Sequence, residues 1–455
     1  MLHAILQNQH TAPEATPRCK TPAPLTVAVA TAGILLIAAA TSRAEEPGAW
    51  VAGQVGALVK LYQELHRAPE LSFEEEQTAA RLAEELGKLK IEVTPHVGKQ
   101  GVVGVFKNGP GPTVLIRTDL DALPVVEATG LPYASTVVKK DAAGNTRGVM
   151  HACGHDIHIT SLIGVARYLA ANKGAWQGTV VFIGQPAEEI GGGALAMLDD
   201  GLFKRFPRPD FGLALHVDAR LAAGKIGYRA GYALANVDSV DITMKGKGGH
   251  GAYPHTTIDP IVQAAHLIVD LQTIVSRENS PLEPAVVTVG SIHGGSKHNI
   301  ISDKCHLQLT VRSYNAAVRE KLLAAIKRKA LAAAASAGAP EPVVEFSDAT
   351  PAMKNDERLV ERLVPVFARV LGAGRVVPVE PSMGGEDFSQ YGNAGVPIFM
   401  FRVGSVDAGR LEGYAARGEE PPSLHSPLYY PDPAETLATG ITAMCAAVLD
   451  LLPPK

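Results

Sequence analysis

The chain has 455 residues, of which 46% are hydrophobic and 19% are charged, and its formal net charge at pH 7 is −4. This length exceeds what one hydrophobic core usually serves, so we expect two domains. The small net charge, with no Lys/Arg run interleaved with aromatic residues, excludes a nucleic-acid-binding protein.

The first 44 residues have the layout of a secretory signal. Arg18 and Lys20 precede the apolar run 25–40, and Ser42 and Ala44 then provide small residues at the positions that a signal peptidase reads. The run of 16 residues is shorter than the about 20 that a transmembrane helix needs. We therefore expect cleavage before Glu45 and a secreted or periplasmic protein without a stable membrane anchor. An uncleaved anchor is the alternative.

Cysteine usage excludes a disulfide scaffold. Removal of the leader leaves Cys153, Cys305 and Cys445, an odd number without the spacing of a disulfide framework. A thiol that stays free in an oxidising compartment needs protection, and coordination to a metal ion provides it.

Beyond residue 50 the sequence alternates between helical and strand patterns, which predicts an α/β domain. Apolar residues at helical spacing and short apolar runs predict helices over 51–67, 74–86 and 161–171 and strands over 101–106, 113–116, 179–183 and 211–215. Ligands of such sheets gather at the carboxyl ends of strands. Asp119, Glu188, Glu189 and His216 each follow a predicted strand closely, so we expect them to share one site.

The pattern changes near residue 232 and changes back after Pro351. In between, the sequence predicts strands over 237–244, 286–292 and 306–312 and helices over 260–275 and 318–335, which together form a compact α+β unit. The α/β pattern then resumes with a helix over 358–370, a strand over 397–401 and a final helix over 435–452. We infer one domain over 45–231 and 351–455, with a second domain, 232–350, inserted into it.

The densest cluster of reactive side chains is His151-Ala-Cys-Gly-His-Asp-Ile-His158, which holds three imidazoles, a thiol and a carboxylate. Further along, Gln185-Pro-Ala-Glu-Glu189 places two adjacent carboxylates after a predicted strand. These donors can face one shared ion. Thiolate, imidazole and carboxylate together suit zinc, manganese, cobalt or nickel better than calcium or magnesium, which favour oxygen ligands. The sequence thus indicates a hydrolase built around divalent metal.

Seven short motifs follow one another along the chain between residues 115 and 427. They are Leu115-Ile-Arg-Thr-Asp-Leu-Asp-Ala-Leu-Pro124, Met150-His-Ala-Cys-Gly-His-Asp156, Gln185-Pro-Ala-Glu-Glu189, Gly248-Gly-His-Gly-Ala-Tyr-Pro-His255, Asn299-Ile-Ile301, Gly385-Glu-Asp-Phe388 and Ser423-Leu-His-Ser-Pro427. Together they resemble the hippurate hydrolases and auxin-amino-acid hydrolases, which are N-acyl-amino-acid amidohydrolases of the aminoacylase-like dinuclear metallopeptidase family.

The resemblance implies a metallopeptidase-type catalytic domain, with a mixed sheet flanked by helices, and an inserted α+β domain that acts as a lid. In the family this lid also serves dimerisation, so a homodimer through the lid is expected. The lid should move about hinges near Gly231 and Pro351. The resemblance further implies two divalent metal ions per subunit, with Cys153 bridging them. The implied ligands are Cys153, His155, Glu189, His216 and His425.

Catalytic roles are also implied by the resemblance. Glu188 would take a proton from a water acidified by the metal pair and deliver it to the leaving nitrogen, while Asp119 would orient the site. His250 lies among glycines that permit close approach, and it could stabilise the developing oxyanion. Asn299 and Arg312 match positions that hold the substrate's carboxylate, a task that suits arginine.

We therefore predict hydrolysis of an N-acyl amino acid, such as a hippurate-like compound, to a carboxylic acid and a free amino acid. A metallo-dipeptidase or carboxypeptidase is the first alternative, since the same site hydrolyses any amide beside a free carboxylate. A non-catalytic ligand-binding relative would lack Glu188 or several ligands, and both are present. A thiol hydrolase that uses Cys153 has no supporting motif.

Overall fold

A computed structural model describes residues 45–140 and 144–454. The expected signal segment, residues 1–44, lies outside these described residues.

The helices occupy both the beginning and the end of the described chain. They are α1 (Pro47–His66), α2 (Glu76–Lys88), α3 (His155–Ala171), α4 (Gly193–Asp199), α5 (Leu202–Arg205), α6 (Pro260–Thr273), α7 (Ala316–Ser336), α8 (Glu357–Leu371), α9 (Ser389–Asn393), α10 (Ala408–Ala416) and α11 (Pro433–Leu451). Several begin at a side-chain cap: Asp356 accepts a hydrogen bond from the Leu359 amide at α8, which stabilises the helix start by about 1 kcal/mol.

The strands form one large sheet, one medium sheet and several short pairs. They are β1 (Glu92–Val97), β2 (Gly101–Asn108), β3 (Thr113–Asp119), β4 (Val138–Lys140), β5 (Thr146–Gly148), β6 (Gly178–Gln185), β7 (Phe211–Ala222), β8 (Ile226–Tyr228), β9 (Gly231–Leu234), β10 (Asn236–Lys245), β11 (Gly249–His250), β12 (Ala285–Gly294), β13 (Ile300–Ile301), β14 (Lys304–Ser313), β15 (Val343–Thr350), β16 (Met353–Asn355), β17 (Val376–Pro378) and β18 (Ile398–Val406).

The large sheet has eight strands in the order β1-β2-β6-β3-β7-β18-β8-β17. Strands β6, β3, β7 and β18 run parallel to their neighbours in this group, whereas β1, β2 and β8 add antiparallel pairs. Helices cover both faces, as the near-continuous burial of the central strands requires. The predicted α/β architecture, a mixed sheet flanked by helices, is therefore confirmed.

Two hydrophobic cores lie on the two faces of this sheet. Because successive side chains of a strand point to opposite faces, Val102 and Phe106 of β2 enter one core, and Val103 and Val105 enter the other. The first core contains residues of α1, α2, α3, α8 and α11, and the second contains residues of α4, α5 and α9. Each large side chain that is fully buried here, such as Phe182, stabilises the fold by about 1.5–3 kcal/mol.

The C-terminal helix α11 is long and apolar enough, by length and composition alone, to cross a membrane. In the folded chain, 72% of its apolar window is buried, and it packs against α1, α3 and α8. Its hydrophobicity is accounted for by its place in the core.

Residues 236–350 carry a second, fully antiparallel sheet in the order β12-β14-β10-β15. Burial alternates along every residue of β10, as expected of a sheet that is covered on one face. Helices α6 and α7 provide the cover, and Leu267 and Ile326 share a core with Val240 and Ile242.

The two chain segments that lead into and out of this second unit lie side by side. Strands β9 and β16 pair antiparallel, with Gly231 opposite Asn355 and Leu234 opposite Met353. Gly231 has a φ of 73°, a left-handed conformation that glycine adopts without strain. The segments around both expected hinge positions are thus in direct contact.

Two predicted boundaries were wrong at positions that matter for the site. Helix α3 begins at His155, not at residue 161, so the metal-binding motif continues directly into the first helical turn. Strand β7 does not end near His216 but continues to Ala222, because Val217 and Asp218 remain paired with β18.

Candidate metal centre

Three neighbouring parallel strands place candidate side chains in one row. Arg117 of β3 is opposite Ala214 of β7, and His216 of β7 is opposite Arg402 of β18. Asp119, two residues beyond Arg117, is therefore level with His216. Because the carboxyl ends of parallel strands meet at one edge of the sheet, this row lies where such folds bind ligands.

The segment that leads into α3 brings the thiol and an imidazole to this edge. Gly154 has a φ of 80°, and a Cβ at this position would lie 2.6 Å from a methyl group of Val217. Only glycine meets both the conformation and the close approach. This turn holds Cys153 on one side and His155, the first residue of α3, on the other.

Cys153, His155 and His216 form a buried group of possible metal ligands. The Cys153 Sγ lies 3.6 Å from the His216 Nε2. The His216 Nδ1 is 2.7 Å from the Val217 carbonyl and donates to it, and the His155 Nδ1 is 2.8 Å from the Asp121 carbonyl. Both histidines are thereby held with the Nε2 atom free to coordinate, as is usual for metal-binding imidazoles.

Glu189 and His425 extend the group toward the surface. The Glu189 Oε1 lies 3.8 Å from the His155 Nε2, and its Oε2 lies 3.4 Å from the His425 Nε2. His425 has a φ of 69°, which is uncommon outside glycine and recurs where function constrains the backbone. Its amide donates to the Ala152 carbonyl at 2.9 Å, which ties this loop to the turn that carries Cys153.

Burial makes the thiol and the carboxylate of this cluster difficult to ionise. Burial raises the pKa of the Cys153 thiol well above its usual range, and Glu189 raises it further. Burial also raises the pKa of Glu189 to about 7. By contrast, burial and His158 hold the pKa of His216 well below its usual value, which keeps this imidazole neutral, the form that binds metal.

The described residues fit two divalent metal ions. The buried His155 Nε2 and Glu189 Oε1 atoms have no hydrogen-bond partner among them, although such atoms are normally satisfied. Two overlapping donor groups, one around His216 and one around His425, share Cys153. A mixture of thiolate, imidazole and carboxylate is the donor chemistry of transition-metal sites.

Glu188 belongs to a second acidic group on the same edge. Its Oε2 lies 3.8 Å from the His155 Nε2, and its side chain is 9% exposed. Burial, together with Glu386 and Glu189, raises the pKa of Glu188 well above its usual range. A carboxylate with such a raised pKa can hold a proton during a reaction cycle.

Arg117 compensates the negative charge of this acidic group. Its guanidinium donates to Asp119 at 2.7 Å, to Glu386 at 2.9 Å and to Asp387 at 3.1 Å, and all four side chains are buried. Removal of one partner from such a buried network costs about 3–5 kcal/mol. Arg117 therefore fixes the carboxylates in place and is itself fully occupied.

Asp119, Asp121 and His158 position the candidate ligands. Asp119 accepts a hydrogen bond from the His158 Nδ1 at 2.7 Å, and the Val217 amide donates to the His158 Nε2 at 3.0 Å. Asp121 accepts from the Glu189 amide at 3.0 Å. Both ring nitrogens of His158 are thus used within the protein.

The metal cluster opens into a cavity of about 690 Å³ that both sheets line. Cys153, Glu188 and His216 come from the large sheet and its loops, and Arg312 comes from β14 of the second sheet. The Arg312 guanidinium contacts Thr310 at 2.9 Å and the Met383 carbonyl at 3.5 Å. No carboxylate in the part of the chain that the structure describes forms an ion pair with it.

His250 and Asn299 lie outside the cavity in this conformation. His250 is the last residue of β11 and Asn299 directly precedes β13, and the Gly251 amide donates to the Asn299 carbonyl at 2.8 Å. Both residues are exposed and neither lines the cavity. The Ala252 amide donates to the His250 Nδ1 at 3.0 Å, so the Nε2 of the neutral ring carries the proton and is the free donor.

Several residues of the site were not assigned from the sequence. Glu386 and Asp387 were quoted within a motif but received no role, and Asp121 and Arg402 were not singled out. Glu386 and Asp387 are adjacent carboxylates after Gly384-Gly385 and resemble the Glu188-Glu189 pair. This similarity could have identified them from the sequence.

Comparison with known proteins agrees with the geometry. Residues 115–420 match the family model described as peptidase family M20/M25/M40, a span that includes every candidate site residue except His425. N-acetyl-L-cysteine deacetylase of Bacillus subtilis (strain 168) is 37% identical over 338 residues, which are 73% of this chain and 77% of the relative. Thermostable carboxypeptidase 2 of Saccharolobus solfataricus is 35% identical over 348 residues, which are 76% of this chain and 85% of the relative.

A solved structure is similar over most of the chain. The YXEP protein of Bacillus subtilis, described as a dinuclear metal-binding peptidase of the M20 family, superposes with a TM-score of 0.70 at 31% identity. The similarity covers 87% of this chain and 98% of the other.

Proposed function

The chain belongs to peptidase family M20/M25/M40, as its motifs predicted, and on this premise we propose that it hydrolyses the amide bond of N-acyl amino acids. The products are a carboxylic acid and a free amino acid. The observation that supports it most is the composition of one cavity. Four of the five metal donors, Cys153, Glu189, His216 and His425, line this cavity together with Glu188 and Arg312. The fifth donor, His155, is buried 3.8 Å from both glutamates, and Arg312 has no carboxylate partner among the described residues.

We propose that two divalent ions would be held by Cys153, His155, Glu189, His216 and His425, of which Cys153 belongs to both donor groups. Bound there, the ions would polarise the amide carbonyl and make water more acidic. Zinc, manganese, cobalt and nickel are the candidates, because the thiolate and three imidazoles are poor ligands for calcium or magnesium.

Glu188 is the proton carrier of the proposed reaction. Its carboxylate takes a proton from the attacking water and returns it to the leaving nitrogen, a transfer that its raised pKa favours. Asp119 orients the site by holding His158 and by lying 3.7 Å from the His155 Nε2. The adjacent glutamates thus have different roles: Glu188 transfers the proton and Glu189 binds metal.

The second unit, residues 232–350, is proposed as a lid that positions the substrate. Arg312 would bind the α-carboxylate, and His250 and Asn299 would complete the site when the lid closes or when a second copy of the chain supplies them. Exposed apolar side chains on α6 support a homodimer through this unit, since Val262 is 53% and Val269 is 71% exposed. Secretion to the periplasm or beyond is proposed from the leader sequence alone.

A hydrolysis screen tests the proposed function. The purified protein, supplied with Mn²⁺, Zn²⁺, Co²⁺ or Ni²⁺, is incubated with N-acetyl, N-benzoyl and longer N-acyl amino acids and with dipeptides, and the released amino acid is measured. Turnover of N-acyl amino acids in preference to dipeptides supports the proposal. Turnover of dipeptides alone would replace it with the peptidase alternative, which the similarity to a carboxypeptidase favours.

The residues of the site disfavour two other functions, a non-catalytic ligand-binding protein and a thiol hydrolase. Glu188 and all five proposed ligands are retained, which a non-catalytic relative would not require. A thiol nucleophile needs a lowered pKa, whereas burial raises the pKa of Cys153. Loss of activity on chelation, without loss on alkylation, would separate metal catalysis from thiol catalysis.

Replacement of Arg312 is expected to reduce discrimination between acids and amides. Because this guanidinium has no carboxylate partner in the described chain, we expect Arg312→Met to lower kcat/KM for an N-acyl amino acid by about 10- to 100-fold. The loss should be much smaller for the matching amino-acid amide. Arg277→Met, which alters an exposed arginine of the same unit, is the control. Equal losses on acid and amide would contradict the assignment.

Replacement of His250 is expected to slow the chemical step. If its Nε2–H donates to the oxyanion, His250→Ala should lower kcat with little change in KM, by about 10²- to 10³-fold for a lost oxyanion donor. His255→Ala is the matched control, since His255 is also exposed and lies in the same loop. A change in KM alone would assign His250 to ground-state binding.

A further inference from the structure

Arg402 lines the cavity, but the metal centre and the proposed amide chemistry leave it without a role. It lies on β18 directly opposite His216 of β7, so it belongs to the row of side chains at the ligand-binding edge of the large sheet. Its backbone continues the apolar strand Ile398–Val406, and its two neighbours in the sequence, Phe401 and Val403, are fully buried. A charged residue in such a strand has to be explained by what its side chain faces.

The Arg402 guanidinium has no anionic partner in the part of the chain that the structure describes. No ion pair and no side-chain hydrogen bond engages it, whereas Arg117 contacts three carboxylates and Arg319 contacts Asp238 at 2.6 Å. Arg402 is only partly exposed, and withdrawal of a cation from water costs free energy unless an anion compensates. Because no carboxylate of the described chain pairs with Arg402, an anion that enters the cavity would provide this compensation.

Arg312 is in the same situation on the opposite sheet. The cavity thus presents two guanidinium groups without carboxylate partners, one from each sheet. One α-carboxylate satisfies one of them, because a guanidinium and a carboxylate form a bidentate pair. The second guanidinium can therefore bind a second anionic group of the substrate.

We propose that the natural substrate is dianionic and that Arg402 binds the anionic group that is not the α-carboxylate. This inference rests on the proposed function and narrows its substrate class. The second carboxylate belongs either to an acidic amino acid, as in an N-acylglutamate, or to a dicarboxylic acyl group, as in an N-succinyl amino acid. Both present the same carboxylate chemistry to Arg402. A substrate of this class is held from both sheets at once.

The test compares substrate pairs that differ in one charge. With the metal-loaded protein, kcat/KM is measured for N-acetyl-L-glutamate against N-acetyl-L-glutamine, and for N-succinyl-L-alanine against N-succinamoyl-L-alanine. We expect the dianionic member of one pair to be preferred by about 10- to 100-fold, and the preferred pair identifies which half of the substrate carries the charge. In Arg402→Met this ratio should fall to near one.

Two controls separate this inference from the proposed function. Arg417→Met alters an exposed arginine outside the cavity that pairs with Glu419, and it should keep the wild-type ratio. If Arg402→Met does not fold, Arg402→Gln replaces it. The substrate preferences of the wild-type protein test the inference independently of both variants. Hydrolysis without preference in either pair, or equal losses on both members in Arg402→Met, would overturn the inference and leave the proposed function intact. Failure to hydrolyse all four compounds, with turnover of monoanionic N-benzoyl or longer N-acyl amino acids, would overturn the inference alone. Failure to hydrolyse any N-acyl amino acid would reject the proposed function as well.

Discussion

Glu188→Gln is expected to abolish most of the hydrolytic activity while the metal content stays near that of the wild type. Glutamine has the same shape as glutamate but cannot accept the proton of the attacking water, so turnover should fall by about 10²- to 10⁴-fold. The structure supports this separation of roles, because Glu188 is buried next to Glu386 and Glu189, which together with burial raise its pKa. Initial rates and elemental analysis of the same preparation measure both quantities.

The adjacent glutamate supplies the matched comparison. Glu189 lies 3.8 Å from the His155 Nε2 and 3.4 Å from the His425 Nε2, so Glu189→Gln should lose metal as well as activity. If Glu188→Gln also loses metal, Glu188 is a ligand and the proton has another carrier. If it retains both metal and activity, the assignment of Glu188 is wrong.

Cys153→Ala is expected to lose metal and activity together. The thiol lies in two of the donor groups, one with His155 and His216 and one with Glu189 and His425, so its removal weakens both ion sites. We expect metal affinity to fall by more than the about 10- to 100-fold that loss of an outer hydrogen-bonding partner typically costs. Equilibrium dialysis followed by elemental analysis measures the change.

The chain offers two matched controls for this variant. Cys305 and Cys445 are buried and free, and neither belongs to a donor group. Cys305→Ala and Cys445→Ala should therefore retain two metal equivalents. Two full equivalents in Cys153→Ala would show that the thiol is not a ligand.

Most of the fold could be predicted because its elements have strong local patterns. The predicted strand 101–106 lies within β2, and the predicted helix 260–275 coincides with α6 apart from its last residues. Residue 161 was predicted as the start of α3, just after the polar motif from His151 to His158. The structure buries these polar residues, and pairing with neighbours distant in sequence cannot be read from local periodicity.

The candidate site was predictable only in part, for the same reason. The motifs named the donors, and the structure places Cys153, His155, Glu188, Glu189, His216 and His425 together. The network of Arg117 with Glu386 could not be inferred, since 269 residues separate them. Arg402 lies within an apolar run that indicates a buried strand, and its exposure to the cavity depends on the neighbouring strand and on the second sheet.

The positions of His250 and Asn299 also depend on more than the local sequence. Their glycine-rich and Asn-Ile-Ile motifs predicted active-site residues, yet His250 at the end of β11 and Asn299 just before β13 are both exposed. The chain crosses between the two sheets at the β9–β16 pair, and we propose a hinge there that carries both residues inward.

Stoichiometric metal titration determines whether hydrolysis depends on two bound metal ions. The chelator-treated protein is supplied with zero to three equivalents of Mn²⁺ or Zn²⁺, and release of the amino acid from an N-acyl amino acid is measured at each step. We predict negligible hydrolysis without metal and a rate that rises to a plateau at two equivalents. Full hydrolysis by the metal-free protein, or binding of two equivalents without any hydrolysis of N-acyl amino acids or dipeptides, would contradict the account.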